Sequence, residues 1–252
     1  VNLNGKTAWV VGGTRGIGRA VAVRLARLGA RVGLTGRDET RARVVAHEVS
    51  RDAGAEVLGY GLDVVERARI PEVFARLCED LGEPDILVYN AGISPVFTSA
   101  EKIPLETWDR VLAVNLTGAF VAAQVFARPL IEAGRPGAIV FIGSVLSLVG
   151  GQRLAAYTAS KSGLLGVARA LAVDWAPHRI RVNLVAPGWV VTDLTAGIRE
   201  HEGLRRFIEE RTPLGRMANP EEIAEVVAFL VAEEAGFVTG AAYAIDGGWT
   251  AW

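Results

Sequence analysis

Apolar residues along this chain fall in short, nearly unbroken blocks that alternate with longer stretches of helical spacing. Thr7–Val11 is an apolar run ending in glycines, and Ile17–Leu28 follows with a helical period until Gly29 stops it. Arg31–Thr35, Val57–Leu62, Asp85–Tyr89, Ala138–Ile142, Ile180–Val185 and Ala242–Ile245 read as further strands. Between them Glu39–Ala53, Ile70–Leu81, Pro104–Glu132, Ala155–Trp175 and Pro220–Ala232 read as helices, and a charged helical insertion spans roughly Leu194–Arg211. Strands without a polar alternation are buried on both faces, so strict β-α alternation predicts an α/β fold with a parallel sheet covered by helices on both sides. No repeat, low-complexity tract or linker breaks the pattern, and residues 1–252 are expected to form a single domain.

Composition narrows the partners. The 252 residues suffice for one large α/β core, and half of them are hydrophobic. A net charge of -1 supplies no broad basic field, so neither nucleic acid nor a membrane surface is an expected partner. The charge-free stretch Val111–Ala127 contains Asn115, Thr117 and Gln124 and falls short of a membrane span, which makes it a buried helix. The single cysteine, Cys78, excludes a disulfide framework and reads as a helix-face residue. With no basic-then-apolar leader before the first strand, the cytoplasm is the expected location. His47, His178 and His201 share no ligand spacing, and no metal site is expected.

Two clusters carry chemistry. Gly12-Gly13-Thr14-Arg15-Gly16-Ile17-Gly18 closes the first strand and opens the first helix, where glycines admit a pyrophosphate and a helix N-terminus offers free N–H groups and a positive dipole. Far downstream, Tyr157 and Lys161 stand four residues apart, one turn apart on the same face of a helix. A free phenol with a pKa of about 10 is a poor base at neutral pH, and a cation one turn away favours the phenolate. A nucleotide cradle with a tuned phenol reads as hydride transfer coupled to proton transfer on a carbonyl.

The end of the second strand bears on the choice between NAD(H) and NADP(H). An acid there would bind a ribose 2′-hydroxyl and repel a 2′-phosphate. This chain has Gly36-Arg37, with Arg15 in the glycine loop, and two guanidiniums form a clamp for a 2′-phosphate; the plainer alternative is two solvated loop arginines. Asp38, one residue further on, complicates the choice. Asp63, followed by Val64, could accept from an adenine amino group or simply cap the strand in an Asx turn. Asn90-Ala91-Gly92 is a turn of small residues that permits close approach of a cofactor.

Together Gly12–Gly18, Asp63, Asn90-Ala91-Gly92, Asn115, Ser144, Tyr157-Thr158-Ala159-Ser160-Lys161, Pro187-Gly188 with Thr192, and Asp246-Gly247-Gly248 resemble the short-chain dehydrogenase/reductase family over essentially the whole chain. The resemblance implies a Rossmann-type, doubly wound sheet of about seven parallel strands, a homotetramer, and a set of roles. Tyr157 is then the acid/base, and Lys161 binds the nicotinamide ribose and lowers the Tyr157 pKa. Ser144 bonds the reacting oxygen, Asn115 holds a water linking Lys161 to solvent, and Pro187, Gly188, Val190 and Thr192 cover the nicotinamide. Ser147 competes for the Ser144 role, and the family's spacing favours Ser144. Three positions depart from the family: Val11 stands in place of a threonine, Tyr89 in place of an asparagine and Gly143 in place of a serine.

The substrate is written in variable parts, Ser94–Ala100, Leu146–Leu154 and a lid at about 194–216. The overall pattern is similar to 3-oxoacyl-[acyl-carrier-protein] reductases, and local wording around Ser144–Arg153 to gluconate and deoxygluconate dehydrogenases. An acyl thioester is the leading expectation and a sugar acid the alternative. Arg153, Arg199, Arg205 and Arg206 could meet an anion, and Arg128, Arg135 and Arg179 could form a patch for an acidic carrier. A nucleotide-sensing protein without chemistry is the alternative of another class.

Overall fold

The seven apolar runs pair into one wholly parallel sheet in the computed structural model, which describes residues 1–252. Its strands are β1 (Thr7–Val11), β2 (Arg31–Gly36), β3 (Val57–Gly61), β4 (Ile86–Tyr89), β5 (Gly137–Ile142), β6 (Ile180–Pro187) and β7 (Ala242–Ile245), in the order β3-β2-β1-β4-β5-β6-β7. Val11 pairs with Thr35 on one side and with Tyr89 on the other. Strand order reverses between β1 and β4, so the connections leave in opposite directions there and open a crevice at the carboxyl ends of the strands.

Helices cover both faces, as the alternation requires. On one face lie α1 (Gly16–Arg27), α2 (Glu39–Ala53) and α9 (Pro220–Val231), with Val21, Leu25, Val45, Val49, Val227 and Leu230 in the core. The other holds α3 (Arg69–Leu81), α4 (Leu105–Leu112), α5 (Gly118–Glu132) and α6 (Ala155–Trp175), burying Leu77, Phe126, Leu164 and Leu171. Asp38 starts α2 by accepting from the Arg41 N–H at 3.0 Å, and Gly54 stops it in the left-handed region. Cys78 sits half-buried on α3 with its thiol pushed up to about 11 by burial, the behaviour of a packing residue.

The expected single helix over Pro104–Glu132 is in fact interrupted. Between α4 and α5, Ala113–Thr117 forms a π-helical turn in which the Gly118 N–H reaches back five residues to the Ala113 carbonyl. That wider step leaves the Val114 carbonyl to the buried Tyr89 hydroxyl, 2.6 Å away. A methyl group at position 118 would lie 2.6 Å from the same hydroxyl, so Tyr89 and Gly118 are matched. The departures from the family thus have local causes. Tyr89 supports the turn. At Gly143 a side chain would strike Leu184, and the hydroxyl missing from Val11 is replaced by Thr35, whose Oγ1 accepts from the Gly12 N–H.

The insertion folds as two short helices, α7 (Ala196–Glu200) and α8 (Glu202–Arg211). The C-terminal tail packs on α8. Trp249 lies among Trp189, Phe207 and Arg211, and the Trp252 indole donates to the Arg211 carbonyl at 3.3 Å while its ring stays exposed.

Candidate active site

Ser144 leaves the end of β5, and Tyr157 and Lys161 lie on the first turns of α6, on the same face as expected. Lys161 is only 3% exposed. Its ammonium stands 5.7 Å from the Tyr157 ring centre and donates to the Ile142 carbonyl at 2.7 Å. The two serines separate cleanly. Ser147 is buried and turned inward, accepting from the Ser144 N–H, whereas the Ser144 hydroxyl neighbours the Tyr157 phenol. Ser144 Oγ also accepts from the Leu146 N–H at 3.2 Å, and an oxygen placed between the two hydroxyls would meet both.

Asn115 projects from the π-turn into the same region, its amide bonded at both ends by protein. The NH2 group donates to the Ile93 carbonyl and the Ser160 hydroxyl, both at 3.0 Å, and its oxygen accepts from the Ile93 N–H at 2.8 Å. Ser160, 0% exposed, donates in turn to the Tyr157 carbonyl at 2.7 Å. The side chain expected to hold a water also braces the first turn of α6 through Ser160. Ser160 was missed in the sequence, although it lies inside the Tyr157–Lys161 motif.

The electrostatics also correct an expectation. Burial pushes the Tyr157 phenol up to about 12, and the Ser144 neighbour only partly opposes this. The ammonium of Lys161 is itself lowered by burial to about 8. Burial is thus the larger influence on the phenol, and burial is set by the whole fold, which sequence spacing cannot display.

A pH-dependent stability follows. Lys161 falls from an ordinary 10.5 to about 8, so above pH 8 the folded state binds fewer protons than the unfolded one. Stability through this group rises with pH across that window, and the full cost of burying the ammonium is present below it. Between about pH 8 and pH 10 the wild type should gain on Lys161→Met by up to about 3 kcal/mol. Urea unfolding of both proteins at several pH values measures this, and parallel curves would place the lysine at its ordinary pKa.

Across the crevice, α1 begins without a side-chain cap, and the N–H groups of Gly16, Ile17 and Gly18 find no acceptor within the protein. Such a terminus suits a phosphate. The surrounding residues are drawn in tightly: the Asn90 amide donates to the Gly12 carbonyl at 2.7 Å, and a methyl at Gly12 would lie 2.7 Å from the Ala91 nitrogen. Thr192 faces Gly16 from the far wall, Gly188 abuts Asp246, and Val190 bridges Ala218. Gly92 lies beside both Lys161 and Asn115. These contacts gather Gly12, Gly16, Gly18, Asn90, Ala91 and Thr192 around the α1 N-terminus, whose free donors fit a phosphate.

At the ribose end the picture is mixed. Arg37 is exposed at the tip of β2, beside Gly36, which packs on Thr14. Asp38 caps α2 through one carboxylate oxygen and keeps its charge one residue from Arg37. Arg15, however, reaches Asp193 at 3.5 Å near the start of the insertion, an exposed pair that contributes little to stability. Asp63 does make the Asx turn, accepting from the Val65 N–H at 3.1 Å. No group of three or more His, Cys, Asp or Glu side chains gathers at any point in the chain.

Comparison with known proteins agrees with this geometry. Residues 11–250 match the family model described as "Enoyl-(Acyl carrier protein) reductase". The chain is 39% identical over 250 residues to the 3-oxoacyl-[acyl-carrier-protein] reductase FabG of Aquifex aeolicus, covering 98% of each. It is 38% identical to an L-rhamnose 1-dehydrogenase (NAD(P)(+)) of Azotobacter vinelandii, covering 96% of each. Among solved structures it superposes with a TM-score of 0.95 on a gluconate 5-dehydrogenase from Burkholderia cenocepacia in complex with NADP and tartrate, at 32% identity over 100% of this chain and 97% of that one.

Proposed function

Because the chain belongs to the short-chain dehydrogenase/reductase family and is an oxidoreductase of alcohols and carbonyl compounds, we propose that it interconverts a ketone and a secondary alcohol with NADP(H), Tyr157 serving as acid/base. The observation that carries the reading is the meeting of Ser144, Tyr157 and Lys161 at the mouth of a crevice whose far wall is an uncapped helix N-terminus.

Gly12, Thr14, Arg15, Gly16, Ile17 and Gly18 would hold the pyrophosphate, Asp63 and Val64 the adenine, and Asn90–Gly92 with Pro187, Gly188, Val190 and Thr192 the nicotinamide end. The bound cofactor supplies or receives the hydride at the carbonyl carbon. Ser144 donates to the substrate oxygen and sets it beside the phenol. Tyr157 passes its proton to that oxygen in reduction and takes it back in oxidation. Lys161 lowers the cost of the phenolate left behind, and the chain Ile93–Asn115–Ser160 fixes the turn that carries both groups.

Preference for NADP(H) over NAD(H) rests on Arg37, exposed at the end of β2, with the Asp38 carboxylate turned to the α2 N-terminus. A charged hydrogen bond contributes about 1.5–3 kcal/mol, more than tenfold in affinity. Arg37→Ala should weaken NADPH binding by that factor and leave NADH nearly unchanged in fluorescence titrations. Equal losses would make Arg37 structural.

For the substrate, similarity to the Aquifex reductase supports a 3-oxoacyl thioester. The patch for a carrier protein is weaker than its sequence suggests, since Arg135 is taken by Glu83 and Asp85 and Arg179 donates to the Gly134 carbonyl. A short sugar acid is favoured by the position of Arg153 on a cavity beside Tyr157. NADPH oxidation against a ketone panel tests the reading as a whole: reduction of at least one polar ketone is expected, and binding of NADPH without any turnover would oppose it.

Assembly as a homotetramer is supported by the apolar side chains left exposed on the long helices, among them Leu105, Phe120 and Val173. Light scattering should give several times the 26.8 kDa of one chain, and a monomer at micromolar concentration would rule the tetramer out.

A further inference from the structure

Arg153 is one of two non-glycine residues in the left-handed region, with φ at 61°. The other, Arg179, ends the short turn before β6. Residues other than glycine rarely take this conformation, and it persists where the surroundings over-determine it. Two contacts do so here, both from the loop that follows β4. The Arg153 carbonyl accepts from the Thr98 N–H at 3.1 Å, and its guanidinium lies over the Phe97 ring, 5.8 Å from the centre.

Between that loop and the start of α6 lies a narrow, open cleft walled by Pro95, Val96, Ile103, Val111 and Leu154 and ending on Tyr157. Arg153 is the only charged residue on its lining. The other arginines that could have met an anion are partly spent, Arg205 on Glu209 and Arg206 on Glu210. The Arg153 guanidinium has an aromatic face for its neighbour and no carboxylate. Stacking fixes the plane of the fork and leaves its N–H edge open, the arrangement that receives a carboxylate in two parallel hydrogen bonds.

We propose that Arg153 determines specificity by binding the carboxylate of a short oxo acid or hydroxy acid whose reacting carbon sits at Tyr157 and Ser144. The proposal rests on the ketone chemistry assigned above to Tyr157 and selects within it. Arg153 lies two residues before α6 begins and lines the same cleft as Tyr157, so the acid group and the reacting carbon share that cleft. A carboxylate brings a charge to the one cation on this lining, and a thioester brings none.

The test compares a keto-gluconate with its methyl ester, both reduced with NADPH, in the wild type, Arg153→Asn and Arg153→Lys. Asparagine tolerates the left-handed backbone, so the change removes charge without removing the turn. The wild type should prefer the acid in kcat/KM, and Arg153→Asn should erase about ten- to a hundredfold of that preference, through KM, with partial rescue by lysine. Calorimetry with gluconate reads the same site without turnover and should show binding that Arg153→Asn abolishes. Reduction of acid and ester alike, or equal losses on both in the variant, would overturn the role of Arg153. Arg153-dependent gluconate binding with no NADPH oxidation would keep the anion site and refute the reductase reading instead.

Discussion

Tyr157→Phe should yield a folded protein that still binds NADPH but turns over about 10²–10⁴-fold more slowly, or worse. The ring is kept, so the packing of the first turn of α6 survives, and its brace to the Ser160 hydroxyl uses the Tyr157 backbone carbonyl, which the substitution leaves in place. Only the phenolic O–H is lost, and with it the proton that must reach the substrate oxygen. The other three tyrosines cannot substitute. Tyr60 is bonded to Asp80 and Tyr89 to the Val114 carbonyl, and Tyr243 lies on β7. Stopped-flow measurement of single turnovers with NADPH separates binding from chemistry. Near-normal turnover would remove Tyr157 from the mechanism, and loss of NADPH binding would show that the ring position itself had been disturbed.

Gly18→Ala should be the most damaging single methyl in the cofactor crevice. A Cβ there would lie 2.1 Å from the Gly12 carbonyl oxygen and 2.6 Å from the Asn90 amide nitrogen. One neighbour is backbone and the other is held by its 2.7 Å bond to the same carbonyl, so neither can swing aside. α1 must back away from the sheet, taking with it the free N–H groups of Gly16 and Ile17. Overpacking of this kind costs about 1–3 kcal/mol or more, and a displaced helix terminus should weaken NADPH by at least about tenfold. Gly197→Ala is the control: it lies exposed within α7 with nothing within 4 Å of the added carbon, and should be neutral or mildly stabilising. Calorimetric melting with and without NADPH measures both effects. An unperturbed Gly18→Ala would mean that the loop is looser than its contacts imply.

Much of this molecule is legible in its sequence because the relevant physics is local. Apolar runs of strand length, a glycine loop after the first of them, and a phenol with an ammonium one turn away are each fixed by neighbours a few residues off. The sheet and the convergence of Ser144, Tyr157 and Lys161 follow from them. What stayed hidden depends on contacts between distant segments. The π-turn at Ala113–Thr117 adds one residue to a helical step within an evenly apolar stretch, and its stabilising partner, Tyr89, lies on a strand. The engagement of Asn115 by Ile93 and Ser160, and of Arg15 by Asp193, joins residues from 22 to 178 positions apart. The Tyr157 phenol is raised, not lowered, because burial is set by the whole fold while the lysine is counted from spacing alone. The tail Trp249–Trp252 found its partners on α8, where no periodicity points.

The central claim is that hydride from NADPH and a proton from Tyr157 arrive on the two ends of one carbonyl bond. Its most direct test is isotopic. The enzyme is supplied with NADPH carrying deuterium at the transferable nicotinamide position, together with a ketone that it reduces, and the alcohol is examined by mass spectrometry and NMR. One deuterium on the carbinol carbon is expected, formed at a rate that collapses in Tyr157→Phe. Consumption of NADPH with no deuterium on that carbon, or labelling at an undiminished rate in Tyr157→Phe, would contradict the account.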